Sequence, residues 1–77
     1  MQVKVTVTLK NGVLDPEGKA ILSALDHLGF EEANEVRQGK VFILDIADGT
    51  AEDRIKDMCE KLLANPVIED YEIEMPN

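Results

Sequence analysis

The chain has few of the residues that catalyse, staple or stack. One cysteine, Cys59, stands in 77 residues, with one histidine, no tryptophan, one tyrosine and two phenylalanines. A lone thiol excludes a disulfide framework and any Cys-x-x-Cys metal or redox site, and a reducing, cytoplasmic compartment is the simpler expectation. Basic residues are outnumbered 8 to 16, leaving a net charge of -8. Phosphate binding needs a basic patch whose counterion release supplies affinity, so nucleic acid is not an expected partner. Base stacking would need exposed aromatics on central strands, where the first strand offers only Val, Thr and Lys. No apolar run approaches the length that spans a membrane, and MQVKVTVTLK alternates instead of forming the continuous core of a signal peptide. No membrane partner is expected.

What is present has clear periodicity. The organising stretch runs from Ile55 to Met75, where a helix, its stop and a closing strand follow one another. Ile55, Met58, Cys59, Leu62 and Leu63 fall on one helical stripe, with Lys56, Asp57, Glu60 and Lys61 on the wet side. Asn65, read as a left-handed cap, and Pro66, which cannot donate the next bond, stop the helix. Tyr71, Ile73 and Met75 then share one strand face, and Asp70, Glu72 and Glu74 the other.

Upstream, Val3, Val5, Val7 and Leu9 alternate with polar residues as a strand that ends at Asn11-Gly12. Asp15 is placed to cap a helix that opens with Pro16 and stops at Gly29, burying Ile21, Ala24, Leu25 and Leu28, with Phe30 folded back on its end. Val36-Arg37 and Val41 to Ala47 read as strands interrupted at Gln38-Gly39. Gly39 serves either a hairpin turn, the preferred reading, or a bulge in one long strand. Thr50 and Asp53 resemble a capping box for the second helix, which runs to Ala64.

The order strand, helix, strand, strand, helix, strand predicts a single α+β domain over residues 1–77: a ferredoxin-like β-α-β-β-α-β sandwich with two helices on one face of an antiparallel sheet. A domain this short buries only about 60% of the surface its unfolded chain exposes. Phe42, Leu44 and Ile46 point one way in VFILDIA, yet Val41 and Ile43 on the other side are apolar too. Helices on one face would leave that pair bare, so a second subunit covering Val41 and Ile43 is expected, as a homodimer or a tetramer made of two dimers.

Candidate chemistry mostly reduces to structure. His27 sits near a helix C-terminus, where a partly exposed histidine is favoured by the dipole. Cys59 lies within an apolar stripe with no histidine at nearby spacing, and reads as a packing residue. Exposed acids along the last strand supply no environments that would separate their pKa values for acid-base work. The glycine-containing loops do not form a Walker or Rossmann phosphate cradle. No catalytic, cofactor or metal residue is therefore expected. Arg37 and Lys40 about Gly39 are the one compact basic cluster, and a basic tip suits an acidic partner surface.

These segments carry a resemblance. VTLKNGVLDPEGKAI from Val7 to Ile21, the AL..LGF pattern from Ala24 to Phe30, VRQGK from Val36 to Lys40 and CEKLLANPVIEDYEI from Cys59 to Ile73 occur in the order found in the PurS family, and the chain resembles those small subunits of phosphoribosylformylglycinamidine synthase throughout. Only Asp48 to Asp53 is less family-like. The resemblance implies a homodimer with a role in purine biosynthesis, where a large PurL-type synthetase subunit uses ATP and Mg to activate the amide of formylglycinamide ribonucleotide. A PurQ-type glutaminase subunit releases the ammonia. A PurS-like chain brings the two together and is not itself known as a catalyst. Partner contacts are expected at the GVLDP loop, the VRQGK turn and the ANP corner, through Asp15, Pro16, Arg37, Gly39, Lys40, Asn65 and Pro66. Asp15, Pro16, Asn65 and Pro66 have a second reading as structural caps. Two other classes share the architecture. One is a homodimeric small-ligand-binding regulatory domain. The other is an acylphosphatase-like enzyme, which would want an arginine where Asn11, Gly12 and Val13 stand.

Overall fold

Alternation along the first strand translates directly into burial. In the computed structural model, which describes residues 1–76, Val3, Val5 and Val7 of β1 (Gln2–Leu9) have at most 1% of their surface exposed. β1 is central in a three-stranded antiparallel sheet, flanked by β2 (Gly39–Asp45) and β3 (Glu69–Glu74) in the order β2-β1-β3. Val5 stands opposite Phe42 on one side and Ile73 on the other, so one sheet face is a continuous apolar layer. α2 (Glu52–Met58) and its π-helical continuation Cys59–Leu63 lie on that layer, and Ile55 and Cys59 are fully buried against the three valines. The α+β class, the antiparallel sheet and the alternation of the last strand all stand as expected.

Four details differ, each for a local reason. The sheet has three strands, because Val36-Arg37 makes no ladder: the Arg37 side chain is drawn onto the loop after β1 instead. Gly39 consequently forms neither a hairpin turn nor a bulge. It opens β2 opposite Thr8, where the carbonyl of Val7 comes so close that a side chain would not fit. Thr50 donates its hydroxyl to the Ala47 carbonyl at 2.6 Å, closing a turn, and Ala51 caps α2 without any side-chain bond. Among the described residues no non-glycine has a positive φ, so Asn65 is not a left-handed cap. Ala64 is already extended, and the Asn65 side-chain oxygen accepts from the Val67 amide at 3.1 Å in an Asx turn that leads into β3.

The π segment also turns Leu62 outward. A π-helix closes its bonds from residue i to i+5, as the Ala64 amide does to the Cys59 carbonyl, and the wider turn rotates each following residue backwards. Leu62 is 83% exposed, while Leu63 and Ala64 face the core.

The larger departure concerns α1 (Pro16–His27). It begins as expected, with the Asp15 carboxylate accepting from the Gly18 amide at 2.9 Å, and it ends at Gly29 with φ of 95°. The Phe30 amide reaches back to the Leu25 carbonyl at 2.9 Å. Yet its apolar stripe does not pack on the sheet. No α1 residue belongs to the core, Gly18 is its only buried member among the described residues, and Leu28 is 72% exposed. Among the described residues, α2 and its π-helical continuation alone cover the sheet within one chain.

A loop corner as the candidate functional site

At the C-terminal end of β1 three loops converge. The Lys10 amide donates to the Ile68 carbonyl at 2.9 Å, and the Lys10 ammonium meets the Asp70 carboxylate at 2.5 Å, tying the loop after β1 to the turn before β3. Arg37 ties the same loop to the chain returning from α1, donating to Asn11 Oδ1 at 2.8 Å and to the Leu9 carbonyl. Gln38 donates to the Glu17 carboxylate, and Gly18 lets the Val36 backbone approach, since a Cβ there would lie 2.5 Å from the Val36 oxygen.

Most of the residues expected at an interface are brought together here. Asp15, Pro16, Gly39 and Lys40 line an open cleft of about 530 Å³ together with Glu17, Gln38 and Glu69. Arg37 lines a neighbouring cleft of about 370 Å³, and Asp15 borders both. Asn65 and Pro66 line neither cleft. Their turn is consumed by internal bonds: the Asn65 carbonyl accepts from the Ile68 and Glu69 amides, and the Asn65 amide donates to the Glu69 carboxylate at 2.7 Å. Val41 and Ile43 stand apart from the corner on the open sheet face, 55% and 56% exposed, beside Lys4 and Thr6 of β1.

Sequence reasoning passed over Asn11, Glu17 and Gly18. Gly18 carried a usable signal, because a glycine in the first turn of a helix costs stability unless another backbone must come close. The Lys10 to Asp70 pair carried none, being sixty residues apart in the chain.

Elsewhere, titratable groups are shaped by packing. Burial pushes the Cys59 thiol up, with the Glu60 carboxylate adding to the effect. The Tyr71 hydroxyl donates to Glu60 Oε1 at 2.9 Å, and that bond holds its pKa above the ordinary phenol value.

Fold and corner together define a class: a small α+β domain whose most elaborated surface is a junction of loops rather than a closed pocket. The comparisons make the class specific. A model of the family PurS, phosphoribosylformylglycinamidine (FGAM) synthase, matches residues 2–77. The chain belongs to the PurS family. It is 51% identical over 76 residues to the phosphoribosylformylglycinamidine synthase subunit PurS of Archaeoglobus fulgidus, with 95% of each chain covered. The structure of B. subtilis PurS superposes with a TM-score of 0.90 at 47% identity, covering 99% of this chain and 98% of that one. A chain in the structure of PurLQS from Thermotoga maritima matches with a TM-score of 0.76 at 30% identity, covering 96% of both.

Proposed function

We propose that this chain is the small, non-catalytic subunit of a multi-subunit phosphoribosylformylglycinamidine synthase, acting in the cytoplasm as a homodimer that joins a PurL-type synthetase to a PurQ-type glutaminase. The observation that carries this reading is the match of the PurS family over residues 2–77. A relative of similar fold in a structure named PurLQS adds support for assembly with other subunits. Among the described residues no helix is long and apolar enough to cross a membrane.

The corner offers a way to hold two partners in register. It is cross-linked by side chains of three loops, so it is a preorganised surface and loses little conformational freedom on docking. Arg37 and Lys40 present positive charge at the edge of a chain with net charge -8, which suits an acidic partner patch and steers encounter. Joining the subunits raises the effective concentration of released ammonia at the synthetase site without this chain touching any reacting atom. ATP and Mg act on the large subunit.

The test is synthase turnover by the large subunit and the glutaminase, with and without this chain, fed either glutamine or free ammonia. Glutamine-dependent turnover should require the chain and ammonia-dependent turnover should largely not. If neither depends on it, the scaffold reading fails.

A further inference from the structure

The π-helical end of α2 turns an apolar side chain to the outside. A regular α-helix would keep Leu62 in line with Met58 and Cys59, whereas the bond from the Ala64 amide to the Cys59 carbonyl widens the last turn and leaves Leu62 83% exposed. Single π-helical turns of this kind are frequent at functional sites. A lone exposed leucine is ordinary on a protein surface, but Leu62 does not stand alone. Arg54, Asp57, Met58 and Lys61 precede it at spacings that share one side of a helix, and with it they line a shallow groove of about 300 Å³. Met58 is half-buried against the core, so packing holds the floor of the groove in place. The rim is charged. Arg54, Asp57 and Lys61 are exposed, and among the described residues none of them forms an ion pair. Lys56 of the same helix lies 3.8 Å from the Glu52 carboxylate instead and is not part of the groove.

We infer that this groove is a second docking surface, which receives an acidic segment of one synthase subunit, a large apolar side chain lying against Met58 and Leu62 and carboxylates meeting Arg54 and Lys61. The inference rests on the scaffold role proposed above and adds where a second partner sits. Joining two unlike subunits takes two surfaces, and the groove shares no residue with either cleft of the loop corner. Charge names the occupant. Two cations against the single carboxylate of Asp57 make a local positive site in a chain of net charge -8, and neither cation is neutralised from within the chain. Methionine and arginine are also residue types enriched where proteins meet, with an apolar centre inside a polar rim. The unbranched thioether of Met58 adapts to the shape laid on it. A second copy of this chain suits the groove poorly. Groove on groove would set like charges face to face, and groove on any other surface is a head-to-tail contact, which builds rings or filaments rather than a dimer.

The test is the concentration of chain that half-restores glutamine-dependent turnover by the large subunit and the glutaminase, at low and raised salt. It compares the wild type with Leu62→Glu, with the double variant Arg54→Glu and Lys61→Glu, and with Lys56→Glu as a control that reverses a charge on the same helix outside the groove. Far-UV circular dichroism establishes that each variant is folded, and sedimentation equilibrium reads its self-association. Leu62→Glu should raise the required concentration about 10-fold or more at both salt levels. The double variant should raise it about 10-fold or more at low salt and by less at raised salt. Lys56→Glu should match the wild type, and self-association and ammonia-dependent turnover should be the same in all four chains. A wild-type value for Leu62→Glu overturns the groove, and one for the double variant overturns its acidic occupant; either leaves the scaffold role standing. A loss in Lys56→Glu as large as that of the double variant overturns the inference too, because overall charge then accounts for it. Altered self-association of Leu62→Glu gives the groove to a second copy and overturns the partner named here. If glutamine-dependent turnover does not need the wild-type chain, the scaffold role fails and this inference with it.

Discussion

Cys59 is a titratable residue inside the apolar core, and its chemistry follows from that. The side chain is fully buried beside Val3, Val5, Val7 and Ile55, and desolvation penalises the thiolate. A thiol whose folded pKa is raised binds its proton more tightly folded than unfolded. Its contribution to stability is therefore fully present below the unfolded value and lost as pH rises through the folded one. Tyr71 acts in the same direction at higher pH, because deprotonation would set a phenolate against the Glu60 carboxylate that now accepts its proton. We expect stability to hold through neutrality and to fall from about pH 9 upward. Urea midpoints measured at a fixed protein concentration should show a shallower alkaline decline in Cys59→Ala than in wild type, although the variant starts lower through lost packing. An equal slope would mean that folding does not raise the thiol's pKa.

At the scale of elements, α2 and its π-helical end show what periodicity can and cannot tell. An α-helical wheel places Ile55, Met58, Cys59, Leu62 and Leu63 together, and four of the five do meet the core. Leu62 does not, because a single change of hydrogen-bonding from i+4 to i+5 rotates everything after it, and no residue type in CEKLL announces that change. The consequence is a contrast between two aliphatic residues of one helix. Ile55→Ala should lower stability by about 2–5 kcal/mol, since it opens a cavity at the centre of the core. Leu62→Lys should stay within about 0.5 kcal/mol of wild type, as a substitution at an 83% exposed site away from the core does. Denaturant midpoints of the two variants at one protein concentration check both, and a large loss at Leu62 would restore the regular α-helical wheel. The same limit applies to Val36-Arg37. Its β-branched residue reads as strand, but Arg37 satisfies the loop carbonyl of Leu9 and the side chain of Asn11, a long-range demand invisible in local composition. Caps and strand alternation, by contrast, involve neighbours in sequence, and Asp15, Gly29 and the valines of β1 were legible for that reason.

For the whole molecule, amphipathicity revealed that α1 must bury a stripe but could not reveal where, since periodicity identifies a face and not its partner. The stripe is not packed into its own core, and the corner proposed to receive the partner subunits lies at the first turn of the same helix. Substitutions at this corner should separate its framework from the charge it would offer to a partner. Arg37 is part of the corner's framework, bonded to Asn11 and Leu9, whereas Lys40 stands exposed at the start of β2 and makes no ion pair among the described residues. Arg37→Ala should loosen the corner, weakening glutamine-dependent turnover at either salt concentration. Lys40→Glu should leave the corner intact and reverse only the charge offered to a partner. Its expected signature is normal self-association, normal ammonia-dependent turnover, and a loss of about 10-fold or more in the affinity with which the chain restores glutamine-dependent turnover, a loss that raised salt diminishes. Titrating each variant into the large subunit and glutaminase at two ionic strengths reads all of these. If Lys40→Glu restores turnover at wild-type concentration, the basic edge is not where a partner docks, and the interface belongs to the Asp15 and Pro16 side of the cleft.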